Sequence, residues 1–168
     1  MLLGLIFRAG PLRVYVIAQR YGWYGEAKFA SIHTLYLSLF DAKYESQLHK
    51  LSVKDLLALI KLHRRRRDEY KQYLDGMAFS RSNDILVSQC PSGEKLDYSS
   101  WRELKVRIFQ EMDERPSGEA LQSFEREQWP ETVAIWNARC KKCEKPQYLL
   151  LTTQNIVDEI NKLPLSAK

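Results

Sequence analysis

One long amphipathic signal restricts the fold of this chain more than any other feature. Ser52 is followed by Asp55 three residues later, an N-cap pattern, and Val53, Leu56, Leu57 and Ile60 then recur at steps of three and four. The stripe extends through His63, Arg67, Tyr70 and Leu74, where the apolar content thins. The reading is a helix that starts in a core and leaves it as it goes, ending near Gly76. A helix with one apolar face needs other elements to cover that face, and the flanking sequence supplies more helices.

Pro11 suits a first helical turn, where its missing N–H is not needed, and Leu12, Tyr15, Val16 and Gln19 follow at helical spacing to a stop at Tyr21-Gly22. A second helix is expected from about Gly25 to Leu39, with Ala27, Ala30 and Leu35 suited to close packing. Between 78 and 97 the pattern breaks. Ser80, Ser82, Asn83 and Asp84 are polar, Ile85-Leu86-Val87 could be briefly extended, and Cys90-Pro-Ser-Gly93 reads as a turn. Ser100 with Glu103 forms a capping box for a helix whose Trp101, Leu104, Ile108 and Met112 share one face. Pro116-Ser-Gly118 interrupts it, and Leu121 and Phe124 mark a short helix. Pro130 opens another, placing Val133, Trp136 and Cys140 on one side. Thr152 or Thr153 caps a last helix carrying Ile156, Val157 and Ile160, with Pro164 beyond its end. The expectation is an all-α, irregular bundle of six to eight helices with a short Cys-containing irregular segment in the middle. It divides into a helical lobe at 1–77, a polar connection at 78–97 and a second helical lobe at 98–168.

Composition bounds the class. The 168 residues suit one domain or two small lobes, and 45% hydrophobic with 28% charged residues is globular usage rather than that of a disordered chain. No apolar run approaches the ~18 residues of a membrane-spanning helix. Met1 to Phe7 is apolar but stops at Arg8, without the basic start or small-residue cleavage site of a signal peptide, so it is expected to pack onto the body. Three Cys form no disulfide framework. These features together point to an intracellular protein, cytoplasmic or nuclear.

The formal charge of +5 is unevenly spread. Lys61 to Lys71 holds six bases against two acids, and Glu103 to Glu131 holds eight acids against four bases. Opposite patches suit self-association or an electrostatically matched protein partner. Arg64, Arg65, Arg66 and Arg67 form the candidate partner-binding run, since consecutive guanidiniums can meet phosphates or acidic side chains. The plainer reading is a solvated or internally paired helix surface. Nucleic-acid binding is not favoured, because no interleaved aromatics surround this run and Asp68 and Glu69 neutralise part of it. Trp101, Trp129 and Trp136 are expected in the core or at helix joints.

Cys140-Lys-Lys-Cys143 has the two-residue gap that lets two thiolates reach one tetrahedral zinc, and Cys90 could be a third ligand. A fourth would have to come from His33, His49 or His63, and spacing selects none. The candidate metal set is therefore Cys90, Cys140 and Cys143 for a single structural zinc, with a redox-sensitive pair as a lesser option. The plainer reading has Cys140 packed beside Trp136. His63 on the extended stripe reads as a partly buried histidine bonded to a neighbour. The chain has no Gly-rich phosphate loop, no Gly-x-Ser-x-Gly and no His-Glu-x-x-His, so no catalytic residue is assigned and a non-enzyme is expected.

The run Pro11-Leu-Arg-Val-Tyr-Val-Ile-Ala-Gln-Arg-Tyr-Gly-Trp23, with Glu26-Ala-Lys-Phe-Ala-Ser31 and Thr34-Leu35, resembles the C-terminal helices of a BTB/POZ domain. Asp55-Leu-Leu through Leu62-His63-Arg64-Arg65-Arg66-Arg67-Asp68 resembles the BACK-like helical region that follows the BTB module in a fungal branch of BTB proteins. In that branch the region carries cysteine pairs and a Trp-containing helix, matched here by Cys90, Trp101 and Cys140/Cys143. Gly93 stands where a second member of the first pair would fall. The BTB sheet and first helices would precede Pro11, where this sequence has ten residues, so the resemblance covers the helical part alone. It implies a non-enzymatic protein–protein interaction module of a scaffold or adaptor, with self-association or a cullin-type ubiquitin ligase as partner. A basic helical nucleic-acid-binding protein using Arg64–Arg67 is the alternative, and a small zinc-stabilised helical domain the third. No membrane partner is expected.

Overall fold

A computed structural model describes residues 10–75, 99–144 and 160–163. In chain order these form α1 (Pro11–Arg20), α2 (Tyr24–Thr34), a 3-10 turn (Ala42–Tyr44), α3 (Glu45–Leu48), α4 (Val53–Asp75), α5 (Ser99–Glu114), α6 (Glu119–Gln122), a second 3-10 segment (Phe124–Gln128) and α7 (Pro130–Asn137). A further helical turn covers 160–162. The all-α class is what the patterning led us to expect, and there is no strand among the described residues. The Met1–Phe7 segment, the polar connection at 78–97 with Cys90, and the caps at Thr152 and Thr153 lie outside them.

The described chain divides into two compact units. The first holds 10–68 and 113–117, and the second holds 69–75, 99–112, 118–144 and 160–163.

In the first unit α1 and α2 lie against each other. Ala18, Ala27 and Ala30 are buried with Leu12, Tyr15, Leu39 and Leu59 in one cluster, and their lack of bulk is what permits close helix approach. The join between the two helices is a glycine-terminated cap. Gly22 takes a φ of 70°, its N–H reaches the Gln19 carbonyl at 3.2 Å, and the Trp23 N–H reaches the Ala18 carbonyl at 2.8 Å. The same Trp23 then opens α2 through its carbonyl, which accepts from Ala27 N–H at 2.9 Å. Tyr15, fully buried, donates its hydroxyl to the Asp55 carbonyl at 3.2 Å and accepts from Gln19 Nε2 at 3.0 Å, tying α1 to the first turn of α4. Ser52 caps that turn as its spacing predicts, its Oγ accepting the Asp55 N–H at 3.2 Å.

Two expectations change here. The second helix stops at Thr34 rather than continuing to Leu39. The Leu35 carbonyl instead accepts the Ser117 N–H at 2.9 Å, and the chain folds into a turn that still buries Leu35 and Leu39. On α4 the buried face is Leu59, Leu62, His63 and Arg66, while Val53 and Leu57 are exposed. The helix carries Leu or Ile at 56, 57, 59, 60 and 62, an arc wide enough for two phases of one stripe, and the α1–α2 pair selects the second.

The second unit is built on Tyr70 and Leu74 of α4 and on Trp101, Leu104, Ile108 and Met112 of α5, all buried, with Leu121, Ile135 and Ile160 completing the cluster. α4 therefore does not leave the core at its C-terminal end, as its thinning stripe suggested; its last turns enter another one. The α5 face is the one its spacing predicts. On α7 the buried residues are Thr132 and Ile135, whereas Val133 and Trp136 are exposed and Cys140 lies beyond the helix end. Similarly, Phe124 is exposed and Arg126 buried, because this segment winds as a 3-10 helix, whose three-residue period shifts the inward position.

Gly118 opens α6 with a φ of 72°, and a Cβ there would stand 2.8 Å from Ile160 Cγ2. Gly118→Ala is expected to destabilise the protein by about 2–4 kcal/mol, from left-handed strain plus overpacking. A urea midpoint unchanged from the parent would refute that account.

Candidate functional site

The four-arginine run does not form one surface. Arg64 and Arg65 are exposed, but Arg66 is 2% exposed, donating through Nε to the Pro116 carbonyl and through Nη2 to the Ser117 carbonyl at 3.1 Å. Arg67 is bound to carboxylates on both sides, with Asp68 Oδ1 and Asp113 Oδ1 each 2.7 Å from a guanidinium nitrogen. Those contacts, Asp113 foremost, raise its pKa further. A helix turns about 100° per residue, so four consecutive residues point to nearly all sides and cannot line one surface. Two of the four guanidiniums are thus engaged in holding the 113–117 turn against α4.

His63 is buried beside that run, its Nε2 3.2 Å from Thr34 Oγ1. Thr34 Oγ1 donates to the Ser31 carbonyl at 2.7 Å, and a hydroxyl has one proton to give. The imidazole must therefore be the donor, carrying its hydrogen on Nε2. Burial draws its pKa down to about 4.

Cys140 is buried and Cys143 half-buried, both as free thiols. The Lys142 N–H lies 3.4 Å from Cys140 Sγ, and the Glu144 N–H reaches the Cys140 carbonyl at 2.9 Å with Glu144 at a φ of 57°. The backbone thus curls round the Cys140 sulfur. Among the described residues no three of His, Cys, Asp and Glu gather as a metal-ligand group, and Cys90 is outside them. Cys140 is buried with the core residues, whereas Trp136 is exposed.

Sequence reading missed a buried charged group in the second unit. Glu111 is buried one residue before Met112, at the edge of the α5 stripe, with Arg107 Nη2 3.8 Å from its Oε2. Arg107 also lies 4.8 Å from the Trp129 ring centroid, so this tryptophan is half-buried under a cation rather than enclosed. Buried Arg126 has its pKa lowered by desolvation. Membership of Glu111 in the i+3 row from Ile108 was the available signal; for Arg126 there was none, since its inward position depends on the 3-10 winding.

A surface feature that the sequence reading missed lies at the α1–α2 join. Tyr21, Trp23 and Tyr24 are 64%, 53% and 76% exposed, and the Tyr21 and Trp23 rings stack at 5.4 Å between centroids. Beside them an open groove of about 1130 Å³ runs between α1 and the connection from α3 into α4. Arg13, Arg20 and Lys50 line it with a single carboxylate, Asp55. A recess of about 300 Å³ shares Gln19 and Asp55 with the groove and adds Lys28 and Lys54. These five cations are exposed and form no ion pair among the described residues. The signal in the sequence is the run Arg20-Tyr-Gly-Trp-Tyr24, three rings within four residues around a helix-terminating glycine.

No family model, no curated protein and no solved structure matches the chain. No helix among the described residues is long and apolar enough to cross a membrane.

The His63 environment makes a measurable demand. Between pH 6.5 and about 4 the unfolded chain binds a proton at this imidazole that the folded chain excludes. Its contribution is complete above 6.5 and is lost as pH falls toward 4, amounting to about 3 kcal/mol at most. His63→Gln is expected to flatten that part of the stability–pH curve, read as the difference in urea midpoints between neutral pH and about pH 4.5. Identical slopes for parent and variant would rule it out.

Proposed function

We propose that this chain is a non-enzymatic protein–protein interaction module, the helical C-terminal part of a BTB-type scaffold or adaptor, and that it docks through the α1–α2 join. The observation that carries the reading is the exposed trio Tyr21, Trp23 and Tyr24, held on a hydrogen-bonded glycine turn between two packed helices. Large aromatic side chains next to arginine are what interface hot spots are made of, and a rigid backbone lowers the entropy lost on docking. The close α1–α2 packing and the burial of Tyr15 agree with the BTB-like reading of Pro11 to Leu35. The alternative, nucleic-acid binding through Arg64–Arg67, is weakened by the engagement of Arg66 and Arg67 within the chain.

The test is capture by the immobilised full chain. It should retain a defined partner, identified by mass spectrometry, and Trp23→Ser with Tyr24→Ser should weaken the isolated pair roughly tenfold or more. Both side chains are exposed, so the variant should keep the parent's circular dichroism and melting temperature. Undiminished binding by the folded variant would exclude this surface.

A second reading, zinc stabilisation of the second unit, is favoured by one observation, the N–H to sulfur contact at Cys140. Cys140 and Cys143 would be two of its ligands, with zinc supplying folding energy rather than chemistry. It predicts near-stoichiometric zinc in the reduced protein and a melting temperature that falls on chelation. A metal-free preparation melting identically would dismiss it.

A further inference from the structure

The groove beside the aromatic join has a lining that specifies a ligand more closely than the aromatic trio does. Arg13, Ile17 and Arg20 follow one another along the exposed stripe of α1 at steps of four and three, with Lys50 and Leu51 also in the lining. Three cations meet one acid there, Asp55, whose Oδ2 accepts the Ser52 hydroxyl at 2.5 Å. The groove therefore carries an excess of positive charge over a concave surface, which raises the local concentration of anionic ligands. The rest of the lining is not ionic. Val16, Ile17 and Leu51 are aliphatic, and Gln19 and Gln47 carry amides able to meet a peptide backbone.

That combination decides between two anionic macromolecules. A nucleic acid strand presents a continuous row of phosphates and relies on ring faces for its bases. Here the single ring in the groove is Tyr21, which leaves a run of bases without stacking partners. A peptide that interleaves carboxylates with aliphatic side chains meets the three cations and the exposed Ile17 together. The guanidiniums can take carboxylates in paired hydrogen bonds, and the aliphatic residues lose water contact on both sides.

We propose that the groove between α1 and the α3–α4 connection binds an acidic linear peptide in which Asp or Glu alternates with aliphatic residues. Arg13, Arg20 and Lys50 take its carboxylates, and the exposed Ile17, with half-buried Leu51, its aliphatic side chains. The inference rests on the interaction reading above and names the chemistry of the partner. It differs in place, because Trp23 does not line the groove.

Fluorescence anisotropy with a labelled peptide of alternating Glu and Leu tests it on the full chain. A peptide with Gln for Glu and a single-stranded oligothymidylate serve as competitors. The Glu peptide should bind roughly tenfold more tightly than the Gln peptide and weaken as salt rises from about 50 to about 500 mM. Arg13→Glu with Arg20→Glu should reduce binding by roughly a hundredfold, and Ile17→Asp by roughly tenfold, while Val106→Ser, at an exposed position of α5 outside the groove, leaves it within about twofold. If the charge reversal does not fold by circular dichroism, Arg20→Gln with Lys50→Gln, both on exposed positions, carries the same comparison. Equal binding of the two peptides, no binding of either, or stronger binding of the oligonucleotide through the same residues would each overturn the proposal. So would a dimer that dissociates on mutating Arg13 and Arg20, since the groove would then be filled by a second copy. Failure here with Trp23-dependent capture intact would remove the peptide and leave the interaction reading standing.

Discussion

Close contact between α1 and α2 sets the terms for everything else in the first unit. Three alanines, Ala18, Ala27 and Ala30, let the helices approach, and the glycine turn at Gly22 makes that approach possible within three linking residues. Once the pair is formed, Tyr15 and Leu12 present a fixed apolar surface, and α4 has to meet it with Leu59. The same turn leaves three rings outside. The left-handed glycine reverses the chain there, and Tyr21, Trp23 and Tyr24 lie on the outside of the reversal. The exposed aromatics are thus a by-product of the geometry that builds the core, and the groove of cations lies directly against them.

The arginine run illustrates how charge on a helix is divided by burial. Arg66 satisfies two carbonyls of the turn after α5, which would otherwise be left unpaired at a substantial desolvation penalty. Its neighbour Arg67 works at the surface, where its contacts with Asp68 and Asp113 are screened by water and worth little individually. His63, one turn before Arg67, is held neutral by burial, and its hydrogen bond to Thr34 ties α4 to α2. His63, Arg66 and Arg67 in the middle of α4 therefore hold the chain together, and the three cations that line the groove come from α1 and the α3–α4 connection.

Much of the fold was legible residue by residue. The starts at Pro11, Ser52 and Pro130, the stop at Gly22, the break at Pro116 to Gly118 and the α5 face from Trp101 to Met112 all rest on local rules: caps, fixed φ values and a clean 3.6-residue period. The failures share a cause as well. The face of α4 that is buried, the early end of α2, and the inward turn of Arg126 instead of Phe124 each depend on a partner far away in sequence or on a switch of helical period. The site was less legible than the fold. The densest charge in the sequence is on α4, whereas the groove takes Arg13 and Arg20 from α1 and Lys50 from the α3–α4 connection.

From its residues alone, then, this chain was bound to be helical, with breaks near where they occur, because capping and periodicity act over a few residues and need no tertiary partner. Which stripe of each helix faced inward was another matter. So was which arginine became buried and where cations, rings and aliphatic side chains gathered into one groove. Those outcomes turn on which helices meet, since a leucine-rich arc or a run of guanidiniums offers several nearly equivalent faces and packing selects among them.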